Sequence, residues 1–318
     1  MTGASGFIGR HLCCCLLQKG FLVRALVREA SYEKLDSHPN LELFVGDLSD
    51  PIMLNQACES IDAVVHLAGL AHGANITKEQ LQKVNVNDTK CLLSAAVRKQ
   101  VSRFVLMSSS LATIGSDCKV STTDYGDSKL AAERLVLAEN SLGRLEGVIL
   151  RPVNVYGRGM RGNITTLISL ISRRIAPPLP SLQSRISLVG VEDVSEAVAL
   201  VLESKKAKGQ TYLLTDGQEY RINDIEAAIY CAVGRQIPSW TTPLLLIYVS
   251  LEIAQLLGRF LRLFGIRHRI LEGLSDRTYD TLVKDNLFCS KKIIEELGFK
   301  PKVTFYSSLP EIVEGIDG

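Results

Sequence analysis

The sequence opens on Thr2-Gly3-Ala4-Ser5-Gly6-Phe7-Ile8-Gly9, a turn whose three glycines are spaced three residues apart. The first glycine permits a tight turn, the second lets a pyrophosphate approach the main chain, and the third lets the following helix pack closely. The N–H groups at the start of that helix carry the positive end of its dipole and attract phosphate. The turn therefore predicts a dinucleotide site, with contacts from Gly3, Ser5, Gly6, Phe7, Ile8 and Gly9.

Short apolar runs alternate with helical stretches over the first half of the chain. The predicted strands are Phe21–Val27, Leu41–Val45, Ala63–Leu67, Phe104–Ser108 and Gly147–Arg151. The clearest helical patterns between them are Ile8–Gln18 and Lys83–Lys99. Nearly all-apolar strands that alternate with helices indicate a parallel sheet covered on both faces. We therefore predict an α/β protein with a Rossmann-type doubly wound sheet.

The second half of the chain has a different pattern. Ile186–Val191 and Thr211–Thr215 have the character of strands that could return to the sheet, and the chain from about Ile237 is apolar and helical. We predict a dinucleotide-binding domain from residues 1–152 plus about 186–217. Residues 153–185 plus about 218–318 then form a smaller, mostly helical substrate lobe.

The start of the chain conflicts with this fold. A glycine turn of this kind follows a strand at the centre of the sheet, but only Met1 and Thr2 precede it here. Without that strand, its neighbours keep unpaired backbone groups and the core has an open slot. We expect the true start to lie upstream of Met1. A stop codon directly before Met1 would contradict this expectation.

Composition restricts the possible partners. The chain has 318 residues, 46% of them hydrophobic, and its 36 basic and 34 acidic residues are interspersed with a net charge of +2. No basic tract predicts a nucleic-acid site. Cys13, Cys14 and Cys15 are adjacent and point in different directions on a helix, so they do not form a metal site. Eight cysteines and no Cys-x-x-Cys pair fit free thiols in a reducing cytoplasm.

One apolar segment, which follows Pro243, resembles a membrane span in length. Four polar residues interrupt it at helical spacing: Glu252, Gln255, Arg259 and Arg262. A spanning helix needs about 20 nearly uncharged residues, so we predict no transmembrane span. The segment is interpreted as a helix packed on the core or lid. A membrane-interface helix is the alternative, because Arg267, His268 and Arg269 follow it.

Residues after two predicted strands bear on the choice of cofactor. Arg28 follows the strand that ends at Val27, where an acidic residue would bind the ribose hydroxyls of NAD. An arginine suits the 2′-phosphate of NADP, so either NAD or NADP is expected; a solvated surface arginine is the alternative. Asp47 and Leu48 follow the next strand, at an adenine-contacting position, although aspartate is also common in simple turns.

Two patterns contain side chains suited to acid–base catalysis and to binding a substrate oxygen. Tyr125 and Lys129 are four residues apart, so a helix places them on one face. A nearby ammonium favours the phenolate and makes tyrosine a better base. Ser108, Ser109 and Ser110 end an apolar strand, where a hydroxyl can bind a substrate oxygen beside the tyrosine.

These motifs together resemble the NAD-dependent epimerase/dehydratase branch of the extended short-chain dehydrogenases/reductases. The stretches that carry the resemblance are TGASGFIG (2–9), GDL (46–48), HLAG (66–69), VNVNDT (84–89), RFVLMSSS (103–110), YGDSK (125–129), RPVNVYG (151–157) and ELGFKP (296–301). Within the branch, the pattern is most similar to bacterial nucleotide-sugar 4-epimerases and 4-ketoreductases of surface-polysaccharide pathways.

The resemblance implies roles for the matching positions. Tyr125 would be the general acid/base, Lys129 would hold the ribose and tune Tyr125, and Ser110 would orient the sugar oxygen. Ala68 and Gly69 would line the dinucleotide through their main chain. Asn154 and Arg185 would bind the phosphates of a nucleotide sugar, although Ile186 stands at the usual arginine position. A homodimer through two helices is usual for such proteins.

The resemblance also leaves three functions open. Leu111 and Ala112 replace the Asp-Glu pair of 4,6-dehydratases, so no acid is available to protonate a departing hydroxyl, and dehydration is excluded. The first expectation is a cytoplasmic C4 epimerase of a UDP-hexose that uses a transient 4-keto sugar. The alternatives are an NADPH-dependent reductase of a UDP-4-keto-6-deoxy sugar and a non-catalytic dinucleotide sensor.

Overall fold

The computed structural model describes residues 1–71, 76–113, 123–175, 177–246, 249 and 283–317. The strands are β1 (Val23–Val27), β2 (Leu41–Val45), β3 (Ala63–His66), β4 (Arg103–Met107), β5 (Glu146–Pro152), β6 (Asn154–Tyr156), β7 (Arg185–Ile186), β8 (Leu188–Gly190), β9 (Thr211–Leu214) and β10 (Tyr220–Arg221). The α-helices are α1 (Phe7–Gln18), α2 (Pro51–Ala57), α3 (Lys78–Leu81), α4 (Asp88–Arg98), α5 (Asp124–Ser141), α6 (Asn163–Ser172), α7 (Val191–Glu203), α8 (Ile222–Ala232), α9 (Lys291–Leu297) and α10 (Phe305–Asp317).

The predicted parallel sheet is present. Strands β3, β4, β5 and β9 pair in that order, and β1 pairs with β2, all in parallel. Apolar side chains cover both faces: α1 and α7 pack over one, and α2, α4 and α5 over the other. Since each strand is covered on both sides, its residues are nearly all apolar, and the α/β fold predicted from that pattern is confirmed.

Met1 and Thr2 occupy the place of the central strand. The Thr2 N–H donates to the Val65 carbonyl oxygen at 3.0 Å, and the Leu26 N–H donates to the Met1 carbonyl oxygen at 2.9 Å. These two residues therefore join β1 to β3. Farther from the glycine turn, the gap between the two strands is a cavity of about 520 Å³, lined in part by Phe21, Leu41 and Val64.

The second half of the chain corrects one expectation. Thr211–Leu214 returns to the main sheet as β9, next to β5. The stretch Ile186–Val191 does not return to it: it forms β7 and β8, which pair with β10 and β6, and Val191 begins α7. Strand periodicity is the same in a small sheet as in a large one, so the sequence pattern did not reveal which strands β7 and β8 pair with.

A second apolar core joins α6, α8 and α10. Its members include Tyr156, Ile168, Ile229 and Phe305. Among the residues that the structure describes, no helix is both long and apolar enough to cross a membrane. Most of the apolar segment after Pro243, including its four interrupting polar residues, lies outside the described residues.

Candidate active site

The glycine turn forms a cradle between Thr2 and α1. Gly3 has φ +70°, and a Cβ there would lie 2.7 Å from the Ala68 main-chain nitrogen. A Cβ at Gly9 would lie 2.0 Å from the Gly3 carbonyl oxygen. Helix α1 begins after Gly6 without a side-chain cap and without an acidic residue in its first turn. The first N–H groups of a helix have no partners within it, so this end of α1 fits a dinucleotide phosphate, as the turn predicted.

The main chain at Ala68 and Gly69 closes the opposite side of this crevice. The Ala68 N–H donates to the Thr2 hydroxyl at 3.3 Å. A Cβ at Gly69 would lie 2.9 Å from Asn85 Oδ1 and 3.2 Å from Lys129 Nζ. The glycine turn, the end of β3 and the lysine therefore meet at the carboxyl ends of the strands, where open parallel sheets bind their ligands.

Lys129 is buried on α5 and points toward the end of β4. Its Nζ donates to the Met107 carbonyl oxygen at 2.9 Å. Burial lowers the pKa of Lys129 to about 8, and the negative charge of Glu133 opposes that shift. The ammonium is therefore easier to deprotonate than that of an exposed lysine. Tyr125 and Lys129 both lie on α5, as their four-residue spacing predicted.

Tyr125 lies in the first turn of α5, beside the serines that follow β4. Burial raises the pKa of Tyr125, and a hydrogen bond with the Ser109 side chain opposes this shift. The hydrogen bond of the phenol is thus with Ser109, while the predicted role of Ser110 in orienting the sugar oxygen stays a prediction. Residues Ser110–Ala112 form a 3₁₀ turn; Ser109 caps it by accepting from the Leu111 N–H at 3.2 Å, while Ser110 is 7% exposed.

The start of α5 fixes the position of Tyr125. The Thr123 hydroxyl caps the helix by accepting from the Gly126 N–H at 2.5 Å. A Cβ at Gly126 would lie 2.3 Å from the Leu111 carbonyl oxygen. Because only glycine allows this approach, α5 packs directly on the 3₁₀ turn and brings Tyr125 to the serines.

Asn85 is a site residue that the sequence reasoning left without a role. It is buried in a π-helical turn, Gln82–Asn87, between α3 and α4. Its side chain accepts from the Leu70 N–H at 2.8 Å, and it donates to the Leu70 carbonyl oxygen at 3.1 Å and to the Ser128 hydroxyl at 2.9 Å. An asparagine inside an otherwise amphipathic helical pattern was the available signal, since buried polar groups need partners.

The residues predicted near the adenine end follow β1 and β2. Arg28 is exposed after β1. The Asp47 carboxylate accepts from the Ser49 N–H and hydroxyl at 2.8 and 2.6 Å, and these bonds, with a smaller contribution from the charge of Arg28, lower the pKa of Asp47. Leu48 is half-buried and packs on the core. Asp47 thus makes the turn interaction that was its alternative interpretation, and its predicted adenine contact stays a prediction.

Asn154 and Arg185, the two residues predicted to bind the phosphates of the substrate, differ in their surroundings. Asn154 is exposed at the start of β6. Arg185, in β7, forms ion pairs with Glu219 at 2.5 Å and with Asp285 at 2.9 Å. Its guanidinium is therefore already paired with two carboxylates, and its phosphate contact stays a prediction.

Comparisons with known proteins agree with this geometry. The NAD dependent epimerase/dehydratase family model matches residues 1–215, and this chain belongs to that family. The family is NAD dependent, so the expected cofactor class is confirmed.

The individual relatives differ in their reactions. The chain is 28% identical to the 3 beta-hydroxysteroid dehydrogenase/Delta 5→4-isomerase of Mycobacterium tuberculosis, over 98% of this chain and 88% of that protein. It is 27% identical to the UDP-glucose 4-epimerase of Vibrio cholerae, over 99% of this chain and 94% of that protein. Among solved structures, gox2253 is similar with a TM-score of 0.79 and 27% identity, over 99% of this chain and 96% of that chain.

Proposed function

We propose that this chain is a nucleotide-sugar epimerase that acts at C4 of a UDP-hexose through a transient 4-keto sugar, in the synthesis of surface polysaccharides. The observation that carries the proposal is a cluster of three groups at the end of β4: Lys129 lies beside the main chain of Gly69 and donates to the Met107 carbonyl oxygen, and the phenol of Tyr125, on the same helix, bonds to Ser109. A hydroxyl, a phenol and an ammonium at the rim of a dinucleotide cradle suit oxidation and reduction of a secondary alcohol. Similarity to the Vibrio cholerae epimerase supports a sugar-nucleotide substrate.

Each residue has a definite task in this reaction. Tyr125 takes the proton of the C4 hydroxyl as the alcohol is oxidised and returns it when the ketone is reduced from the other face. The Lys129 ammonium stabilises the phenolate while it holds that negative charge. Ser109 or Ser110 donates a hydrogen bond to the C4 oxygen. A bound nicotinamide would supply the hydride acceptor and donor.

The substrate lobe is proposed to consist of residues 153–185 and about 218–318. Asn154 and Arg185 remain the proposed phosphate contacts of the nucleotide. For Arg185, binding would require a phosphate to compete with Glu219 and Asp285 for the guanidinium, because both carboxylates already accept from it.

A second candidate is an NADPH-dependent reductase of a UDP-4-keto-6-deoxy sugar. The observation that favours it is Arg28, which is exposed directly after β1, where a 2′-phosphate would lie. The same Tyr125, Lys129 and serine hydroxyl would protonate the alkoxide once and release an alcohol.

One set of incubations separates these functions. Purified protein is incubated with UDP-glucose or UDP-GlcNAc without added cofactor, and the C4 epimer is measured. A UDP-4-keto-6-deoxy sugar with NADPH, and a 3β-hydroxysteroid with NAD⁺, are tested in parallel by nicotinamide absorbance. An epimer without net cofactor use supports the first proposal, NADPH consumption alone supports the second, and steroid oxidation alone contradicts both.

The variant Tyr125→Phe tests the chemistry shared by the two candidates. Loss of the phenol should lower turnover about 10²- to 10⁴-fold, the usual contribution of a general acid/base. Asp127→Asn, an exposed residue on the same helix, should retain wild-type turnover. Wild-type turnover in Tyr125→Phe would contradict both mechanisms.

A further inference from the structure

A buried carboxylate lies one helical turn beyond Lys129 on α5. Glu133 is 1% exposed, although ionised side chains are rarely buried without partners. Arg151 on β5 donates to both of its oxygens, from Nε at 2.8 Å and from Nη2 at 2.5 Å. The Ser108 hydroxyl also donates to Glu133. Bidentate pairing with a third donor gives this carboxylate a fixed orientation.

Glu133 joins three elements that carry the candidate active site. Through Ser108 it contacts the end of β4, directly before Ser109 and Ser110. Through Arg151 it contacts β5, and its own helix carries Tyr125 and Lys129. A displacement at this junction would therefore move the serines relative to the phenol and the ammonium.

Glu133 also balances the charge of the site. Lys129 and Arg151 are both cationic. The Glu133 carboxylate forms an ion pair with Arg151 and lies one helical turn beyond Lys129. The charge of Glu133 raises the pKa of Lys129 against the effect of burial. Within the described part of the chain, His66 on β3 also lies near Lys129, and burial keeps the His66 ring neutral at physiological pH; Tyr125 is on the same helix as Lys129.

We propose that Glu133 is a positioning residue of this active site: held by Arg151, it aligns the serine-bearing end of β4 with α5 and supplies the negative charge that balances Lys129. The inference rests on the proposed function only in assuming that Tyr125, Lys129 and a serine hydroxyl perform the chemistry. It does not depend on the identity of the substrate.

The first test measures Lys129 directly and needs no substrate. The titration of Lys129 is followed by NMR in protein labelled on the lysine side chain, with the resonance assigned by its loss in Lys129→Met. In Glu133→Gln the pKa of Lys129 should fall, because a negative charge is removed. In Arg151→Met the pKa of Lys129 should rise, because the charge of Glu133 is then no longer paired with Arg151 and acts more strongly on Lys129. Glu139→Gln, near the far end of the same helix and paired there with Arg144, should leave it unchanged.

The double variant Glu133→Gln/Arg151→Met protects the test against loss of folding. A buried ion pair that is removed as a whole is often tolerated, whereas a single unpaired charge is not. In this variant the pKa of Lys129 should lie between the values measured in the two single variants. Opposite shifts support the proposal, because a general loosening of the fold would not produce both signs. Unchanged Lys129 titration in every variant that folds would overturn it.

The second test uses turnover of whichever substrate the incubations identify. Glu133→Gln and the double variant should lower kcat about 10²-fold with KM unchanged, since a displacement of about 1 Å in a catalytic group can have this effect. Wild-type kcat in the double variant would overturn the positioning role. If no nucleotide sugar is turned over but the Lys129 shifts appear, the proposed substrate fails and the inference about Glu133 stands.

Discussion

The side-chain amide of Asn85 donates a hydrogen bond of 2.9 Å to the hydroxyl of Ser128, the residue that precedes Lys129 on α5. Ser128 in turn donates to the Tyr125 carbonyl oxygen at 2.7 Å. The π-helical turn that holds Asn85 is therefore connected to the helix that carries both Tyr125 and Lys129. The same amide group holds the main chain of Leu70, just after Gly69.

Asn85→Ala should weaken both folding and turnover. The substitution leaves the Leu70 main chain without its side-chain partner in a part-buried place, at a cost of about 1–3 kcal/mol in the free energy of unfolding. Urea unfolding and kcat check this. Asn87→Ala, an exposed asparagine in the same π-helical turn, is the matched control and should change neither. Equal behaviour of the two variants would show that Asn85 does not organise the site.

Gly126→Ala should lower the turnover of the enzyme. The added Cβ would lie 2.3 Å from the Leu111 carbonyl oxygen, so α5 and the 3₁₀ turn must separate. That movement takes Tyr125 away from the serine hydroxyl, and we expect a loss of kcat of about 10²-fold. Asp127→Ala on the same helix controls for the change of side chain alone. Wild-type kcat in Gly126→Ala would mean that the contact between these two elements is not needed for catalysis.

The stability of the protein should fall with acid because of His66. The ring is buried between the Thr2 and Thr89 hydroxyls, at 2.7 and 2.9 Å. Burial lowers the pKa of His66 from 6.5 to about 3. Between these two pH values the unfolded chain binds a proton that the folded chain does not, so unfolding becomes easier as pH falls. The effect is at most about 1.4 kcal/mol per pH unit.

The measurement is the free energy of unfolding of wild type and His66→Asn between roughly pH 4 and 6. The variant lacks the buried ring, so its stability should depend less steeply on pH than that of wild type. His38→Asn, at a histidine that is only half-buried, serves as control. Equal slopes for wild type and His66→Asn would show that His66 is protonated in the folded state.

Arg28→Glu should change the preference between the two nicotinamide cofactors. If a 2′-phosphate lies beside this exposed arginine, reversal of its charge should weaken NADPH binding about tenfold or more and leave NADH binding unchanged or stronger. Calorimetric titration with each cofactor gives both dissociation constants. Glu29→Gln, at the neighbouring residue, is the control. An unaltered ratio of the two constants in Arg28→Glu would place Arg28 outside the cofactor site.

Local sequence determined much of this protein. The glycine turn at Gly3, Gly6 and Gly9, the apolar strands and the four-residue spacing of Tyr125 and Lys129 each follow from short-range rules, because backbone freedom and helical or strand periodicity depend on neighbouring residues. For this reason the parallel sheet and the shared face of the tyrosine and the lysine were predictable.

Contacts between distant residues were decided only by the tertiary structure. Whether Ser109 or Ser110 meets the phenol depends on how α5 packs against the 3₁₀ turn, and Arg185 pairs with Asp285, 100 residues later. The roles of Asn85 and Glu133 depend on Leu70, Ser128, Ser108 and Arg151, which belong to other elements. Because hydrogen bonds and ion pairs depend on side-chain positions in space, sequence spacing alone does not specify them.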